Sequence, residues 1–150
     1  MSHFAGHPRP YRPQSGPGHV PSYQISGIPY TTASFTVPVS GNVNGPTAIT
    51  FPMVTKFVTV VNSHSGTNAP LRVGFSINGI NGLVNNNYFV LDNGDSYTGE
   101  WRVESIYLLS DTTTDQTSAS VIAGLTGIAT GSLLGFAPGS LNWSGSVGVG

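Results

Sequence analysis

The sequence predicts an all-β protein: a single eight-stranded antiparallel jelly-roll sandwich with an extended N-terminal arm and a Gly-rich C-terminal tail. Three observations carry this. Apolar residues alternate with polar ones at period two from Ala33 to Leu125. Turn signals rich in Asn, Gly and Asp separate the alternating runs, and no run shows a helical period. The chain divides into an arm (1–29), a jelly-roll domain (30–126) and a Gly/Ser-rich tail (127–150).

The arm, "MSHFAGHPRPYRPQSGPGHVPSYQISGIP", holds six of the eleven prolines. Proline at that density disfavours helix and favours extended, polyproline-like chain. Fully extended, the arm reaches about 90 Å at roughly 3.3 Å per residue. In the first strand Phe35, Val37 and Val39 alternate with Thr36 and Pro38, and Pro38 suits a sheet edge. Ile49 and Phe51 follow the Asn44-Gly45-Pro46 turn. "VTKFVTVVN" (54–62) is apolar or Thr at nearly every position, which predicts a strand covered on both faces. "LRVGFSIN" places Leu71, Val73, Phe75 and Ile77 inward, with Arg72, Gly74 and Ser76 outward. "NYFVL" (87–91) leads into Asn93-Gly94, a hairpin signal. Tyr97, Trp101 and Val103 share one face of the next strand, and "ESIYLLS" (104–110) continues or pairs with it. Ala119, Val121, Ala123 and Leu125 form the inner face of the last strand. In the tail, Leu133, Leu134, Phe136 and Trp143 are bulky residues among glycines, and are expected to dock it on another surface.

Charged residues make up only 7% of the chain, against about 25% in ordinary domains. A surface of Ser, Thr, Asn and Gly suits burial against neighbours, because charge is costlier to desolvate. The charge is also polarised. Residues 1–91 carry Arg9, Arg12, Lys56 and Arg72 and no acid, whereas all six acids lie in residues 92–150 beside Arg102. Such polarity fits head-to-tail contact between copies. Four dispersed cations are too few for a nucleic-acid footprint, so no nucleic-acid partner is expected. With no cysteine there are no disulfides or thiolate metal sites, which suits a reducing compartment. The N-terminus shows no apolar signal region. Gly127, Gly131 and Gly135 have the spacing of a packed transmembrane helix, but five glycines each cost about 1 kcal/mol in helix propensity. No transmembrane span is expected, which leaves contact with an internal membrane open.

Enzyme chemistry has little to work with. Asp92 and Asp95 flank a turn, where Asp is common for local hydrogen bonding. Glu100, Arg102 and Glu104 share the outward parity of one strand and read as a solvated or intersubunit charge ladder. His3, His7 and His19 lie in the arm and His64 in a loop, with no ligand cluster on the strands. No motif frames a nucleophilic Ser. The reading is of a non-enzyme without metal or cofactor. Asn142-Trp143-Ser144 is the sole glycosylation sequon.

Three segments in order, "FPMVTKFVTVVN", "LRVGFSINGINGLVNNNYFVLDNGDSYTGEWRVESIYLLS" and "SVIAGLTGI", resemble the penton proteins of nucleocytoplasmic large DNA viruses. The resemblance spans about residues 28–128 and leaves out the arm and the tail. It implies a single jelly roll acting as a structural protein of the virion. Five copies would form the capsomer at each icosahedral fivefold vertex, assembled in the host cytoplasm. The implied partners are further copies of the chain, major capsid protein capsomers and other minor capsid proteins. On this reading Phe4, Arg9, Tyr11 and Arg12 contact capsid neighbours. His64, Asn68, Asn78, Asn81, Asn85 and Asn86 lie in exposed or intersubunit loops. The alternative is a jelly-roll carbohydrate-binding or receptor-binding module using Trp101, Trp143, Tyr88 or Tyr97 as a stacking platform. Coat proteins of small RNA viruses fit less well, since two arginines are too few for a genome-neutralising arm.

Overall fold

The computed structural model describes residues 15–83, 86–133 and 142–150. The alternating segments form eight strands: β1 (Ile28–Val37), β2 (Thr47–Thr50), β3 (Met53–Asn62), β4 (Leu71–Gly74), β5 (Tyr88–Leu91), β6 (Ser96–Gly99), β7 (Ser105–Ser110) and β8 (Thr117–Ala129). They build two four-stranded antiparallel sheets, ordered β1-β8-β3-β6 and β2-β7-β4-β5. The first strand pairs with the eighth, the second with the seventh, the third with the sixth and the fourth with the fifth. The chain is thus one long antiparallel ribbon wrapped into a sandwich, which is the jelly-roll arrangement.

Parity decides which side chains meet between the sheets. Ala119, Val121, Ala123 and Leu125 of β8 lie in one core with Leu71 and Val73 of β4 and Ile106 and Leu108 of β7. Burying each larger aliphatic side chain contributes about 1.5–3 kcal/mol. A bulge in β1 keeps both halves of that strand in register with this core. The pairing shifts between Thr32 and Phe35, so Tyr30 and Phe35, of opposite parity, both face inward. Ser34 takes φ 52° there, and its N–H donates to Ser120 Oγ at 3.1 Å. Tyr30 then meets Phe51 edge to face, with ring centroids 5.1 Å apart.

Several elements depart from the local pattern. Residues 21–24 of the proline-rich arm form a helical turn, α1 (Pro21–Gln24), because proline at the first helical position loses no needed hydrogen bond. β1 begins at Ile28 and β8 runs to Ala129, so the sandwich takes residues from both the arm and the tail. The run of 117–129 is strand, which removes the helical membrane candidate there. Among the described residues no helix is long and apolar enough to cross a membrane. β3 is sealed on its inner face at Val54, Val58 and Val60, whereas Phe57, Thr59 and Val61 are only half-buried. β4 stops at Gly74, and α2 (Ile77–Asn81) follows where continued alternation was expected. Ser76 caps α2 by accepting from Gly79 N at 2.9 Å, and Gly82 ends it at φ 70°. As a result Ser76 is buried and Ile77 exposed, the reverse of the expected parity, while Ile80 packs over Gly74.

Asn93-Gly94 turns the chain but makes no hairpin. β5 pairs with β4 in one sheet and β6 with β3 in the other, so the turn crosses between sheets. Likewise β7 does not pair with β6 but joins β2 and β4. β6 ends at Gly99, leaving Trp101 beyond the strand.

Candidate functional site

Strand direction sorts the connections into two ends. Loops 38–46, 63–70, 92–95 and 111–116 gather at one end, tied together by Asn62, Asn93 and backbone bonds. Asn62, fully buried, donates to Ala69 O and Leu91 O at 3.1 and 3.0 Å and accepts from Thr117 Oγ1. Asn93 accepts from Ala69 N at 3.0 Å and donates to Thr67 O at 2.9 Å. Four of the six acids, Asp92, Asp95, Asp111 and Asp115, lie at this end. Arg72 pairs with Asp111 at 2.6 Å and also donates to Ile80 O and Asn81 O under the ring of Tyr88.

The opposite end gathers residues 15–27, α2, loop 100–104 and residues 142–150. A small second core of Val54, Ile128 and Leu133 receives Tyr23 from the N-terminal segment and Trp143 from the tail. Arg102 joins the two segments: it donates to Pro17 O at 2.8 Å and lies 5.2 Å from the Trp143 ring. The tail is locked by Asn142, which is 2% exposed. Its Oδ1 accepts from Glu104 N at 2.8 Å and Ser105 N at 3.2 Å, while Nδ2 donates to Ser105 O and Phe75 O. The sequon asparagine therefore has no free amide in the folded chain. Farther along, Ser76 Oγ donates to Val149 O at 2.7 Å, in a contact close enough that Gly79 has no room for a Cβ.

Beside these segments, Trp101 folds back over Gly99, whose missing Cβ makes the space, and stacks at 17° against Tyr97. Phe75 and Phe89 abut the same indole at 4.9 and 5.9 Å. An open cleft of about 320 Å³ is lined by Phe75, Trp101, Val103 and Trp143, with Glu100 and Arg102 on its rim. A second groove of about 470 Å³ shares Glu100 and Arg102 and continues along Pro17, Val20 and Tyr23.

The expected charge ladder of Glu100, Arg102 and Glu104 does not form. Glu100 and Arg102 are exposed, but Glu104 is 1% exposed and accepts from Gly131 N, because the chain turns inward to start β7. Of the loop residues, Asn68, Asn78 and Asn86 are exposed, and His64 and Asn81 are half-buried. The two groups lie at opposite ends of the sandwich. Trp143 and Leu133 dock on the second core. Phe4, Arg9, Tyr11, Arg12, Asn85, Leu134 and Phe136 lie outside the described residues. Trp101 and Trp143 meet in one cleft, whereas Tyr88 lies against Arg72. Among the described residues no three His, Cys, Asp or Glu side chains gather as metal ligands. The sequence marked Asn142 only as part of a sequon and Arg72 only as an outward cation, and it gave Gly99 no role; their structural roles rest on contacts with distant residues.

The outer face of the β1-β8-β3-β6 sheet is a third feature. Its register aligns Thr31, Ile122, Thr59 and Thr98 in one row across four strands. Neighbouring rows hold Ser120, Val61 and Ser96, then Pro29, Gly124 and Phe57. No side chain in these rows is charged. Ile122 is 42% exposed at the centre, and Thr59 and Thr98 share a hydroxyl bond at 2.7 Å.

The described chain is thus a jelly-roll sandwich with an end rich in aspartate and a sheet face whose aligned central rows carry no charge. No known protein family, curated protein or solved structure matches it.

Proposed function

We propose that the chain is a structural capsid protein, five copies of which form the penton capsomer at the fivefold vertices of an icosahedral large DNA virus. The observation that carries this is the uncharged outer face centred on Ile122. A solvated sheet face normally carries charge, and leaving it out lowers the cost of burying that face against a neighbour. Support also comes from the difference between the two ends, one gathering Asp92, Asp95, Asp111 and Asp115 and the other holding Lys56 and Arg102 beside Glu100 and Glu104, since a closed ring uses two different surfaces on each copy. The resemblance over residues 28–128 points the same way. Capsomers of the major capsid protein and minor capsid proteins are the further partners, and the virion is the location.

The test is native mass spectrometry of the full-length protein across a concentration series, beside the Ile122→Lys variant. The expected species is a pentamer of about five times 15.6 kDa, lost in the variant while its fold is kept. A persistent monomer whose variant enters particles as well as the parent sinks the proposal.

A glycan-binding or receptor-binding role is favoured by one observation, the meeting of Trp101 and Trp143. It is weakened because Tyr88 lies against Arg72 and Tyr97, stacked on Trp101, does not line the cleft, so the four aromatics make no single platform.

A further inference from the structure

We infer that the aromatic cleft between Trp101 and Trp143 is the seat of the chain's own Pro8–Pro13 segment, bound as a polyproline helix. The sequence there is Pro8-Arg9-Pro10-Tyr11-Arg12-Pro13, with two prolines three apart at Pro10 and Pro13. Prolines spaced in this way dock in aromatic-lined grooves, because their chain is already extended and little entropy is lost on binding. The cleft has that lining in Phe75, Trp101 and Trp143. Glu100 is an exposed carboxylate on its rim, set to meet Arg9 or Arg12.

The geometry of the described chain brings the segment to this place. Arg102, on the same rim, already holds Pro17 O at 2.8 Å. Pro13 lies four residues upstream of Pro17, about 12 Å of polyproline chain at 3.1 Å per residue. The groove along Pro17, Val20 and Tyr23 runs into the aromatic cleft through Glu100 and Arg102. A segment tethered this closely acts at high effective concentration, which favours its own cleft over that of another copy. The inference holds whether or not the chain builds a capsid.

The experiment uses the full-length chain with Tyr11→benzoylphenylalanine, a photoreactive side chain. A mixture of isotopically light and heavy protein is irradiated, and the crosslinks are mapped by mass spectrometry. The expected crosslinks join the arm to residues 99–103 or 142–150 within one chain. Adding Glu100→Lys, an exposed change, should lower their yield about fivefold, the reach of one rim ion pair. Crosslinks to loops 38–46 or 111–116, or between light and heavy chains, overturn the inference. So does a yield unchanged by Glu100→Lys. Quenching of tryptophan fluorescence by added cellohexaose, without arm crosslinks, overturns it in favour of a sugar site.

Discussion

Replacing Asn142 by Ala tests how the tail is held, and the cost can be worked out from the hydrogen bonds. The amide is 2% exposed and serves two backbone donors, Glu104 N and Ser105 N, and two backbone acceptors, Ser105 O and Phe75 O. Alanine satisfies none of them. Each buried donor left without a partner costs about 1–3 kcal/mol, and relaxation of the tail recovers some of that, so a loss of about 2–4 kcal/mol is expected. At about 2–4 °C per kcal/mol for a chain of this size, Tm should fall by roughly 4–16 °C. The assay is calorimetric or urea unfolding, read beside Ser144→Ala, whose hydroxyl makes only a part-buried 3.3 Å bond to Gly150 O. Ser144→Ala should change stability by less than about 0.5 kcal/mol. If Asn142→Ala were equally silent, the reasoning would be refuted, and the tail would be held by Trp143 packing alone.

Gly99→Ala places a Cβ inside the indole of Trp101, so the ring must leave its seat. A loss of about 1–3 kcal/mol with a changed near-ultraviolet circular dichroism spectrum is expected, and an unchanged spectrum would contradict the packing. Arg72→Ala removes the Asp111 pair and frees the end of α2. About 2–3 kcal/mol should be lost, less than for a fully buried pair because Asp111 is 35% exposed, and amide exchange should quicken in residues 77–82. Ile122→Lys, on the exposed face, should shift stability by no more than about 0.5 kcal/mol when parent and variant are compared at dilutions where both are monomeric, and a larger loss there would show the face to be packed within the monomer.

Much of the candidate site was out of reach of the sequence. Trp143 could be named as a docking residue because a large aromatic among glycines has few other ways to leave water. That it would meet Trp101, 42 positions earlier, could not be inferred, since the two are joined only through the docked tail. Glu104 was misread for a related reason. Parity gave it an outward direction, but the strand it was counted on ends at Gly99 and the next begins at Ser105. Asn142 looked like a sequon because its local motif says nothing of the backbone groups of β7 that it satisfies.

By itself the sequence determined the number of strands, the inner face of β8 and the all-β class, because side-chain alternation is a property of a strand's own backbone. Turn residues likewise marked where the chain reverses. Which strand each reversal leads to was decided only by the tertiary structure. Asn93-Gly94 shows this: its local chemistry suits a hairpin, yet β5 pairs with β4 in one sheet and β6 with β3 in the other. Pairing, the burial of Glu104 and the aromatic cleft all depend on contacts between distant residues, and those are set by closing one core between two sheets.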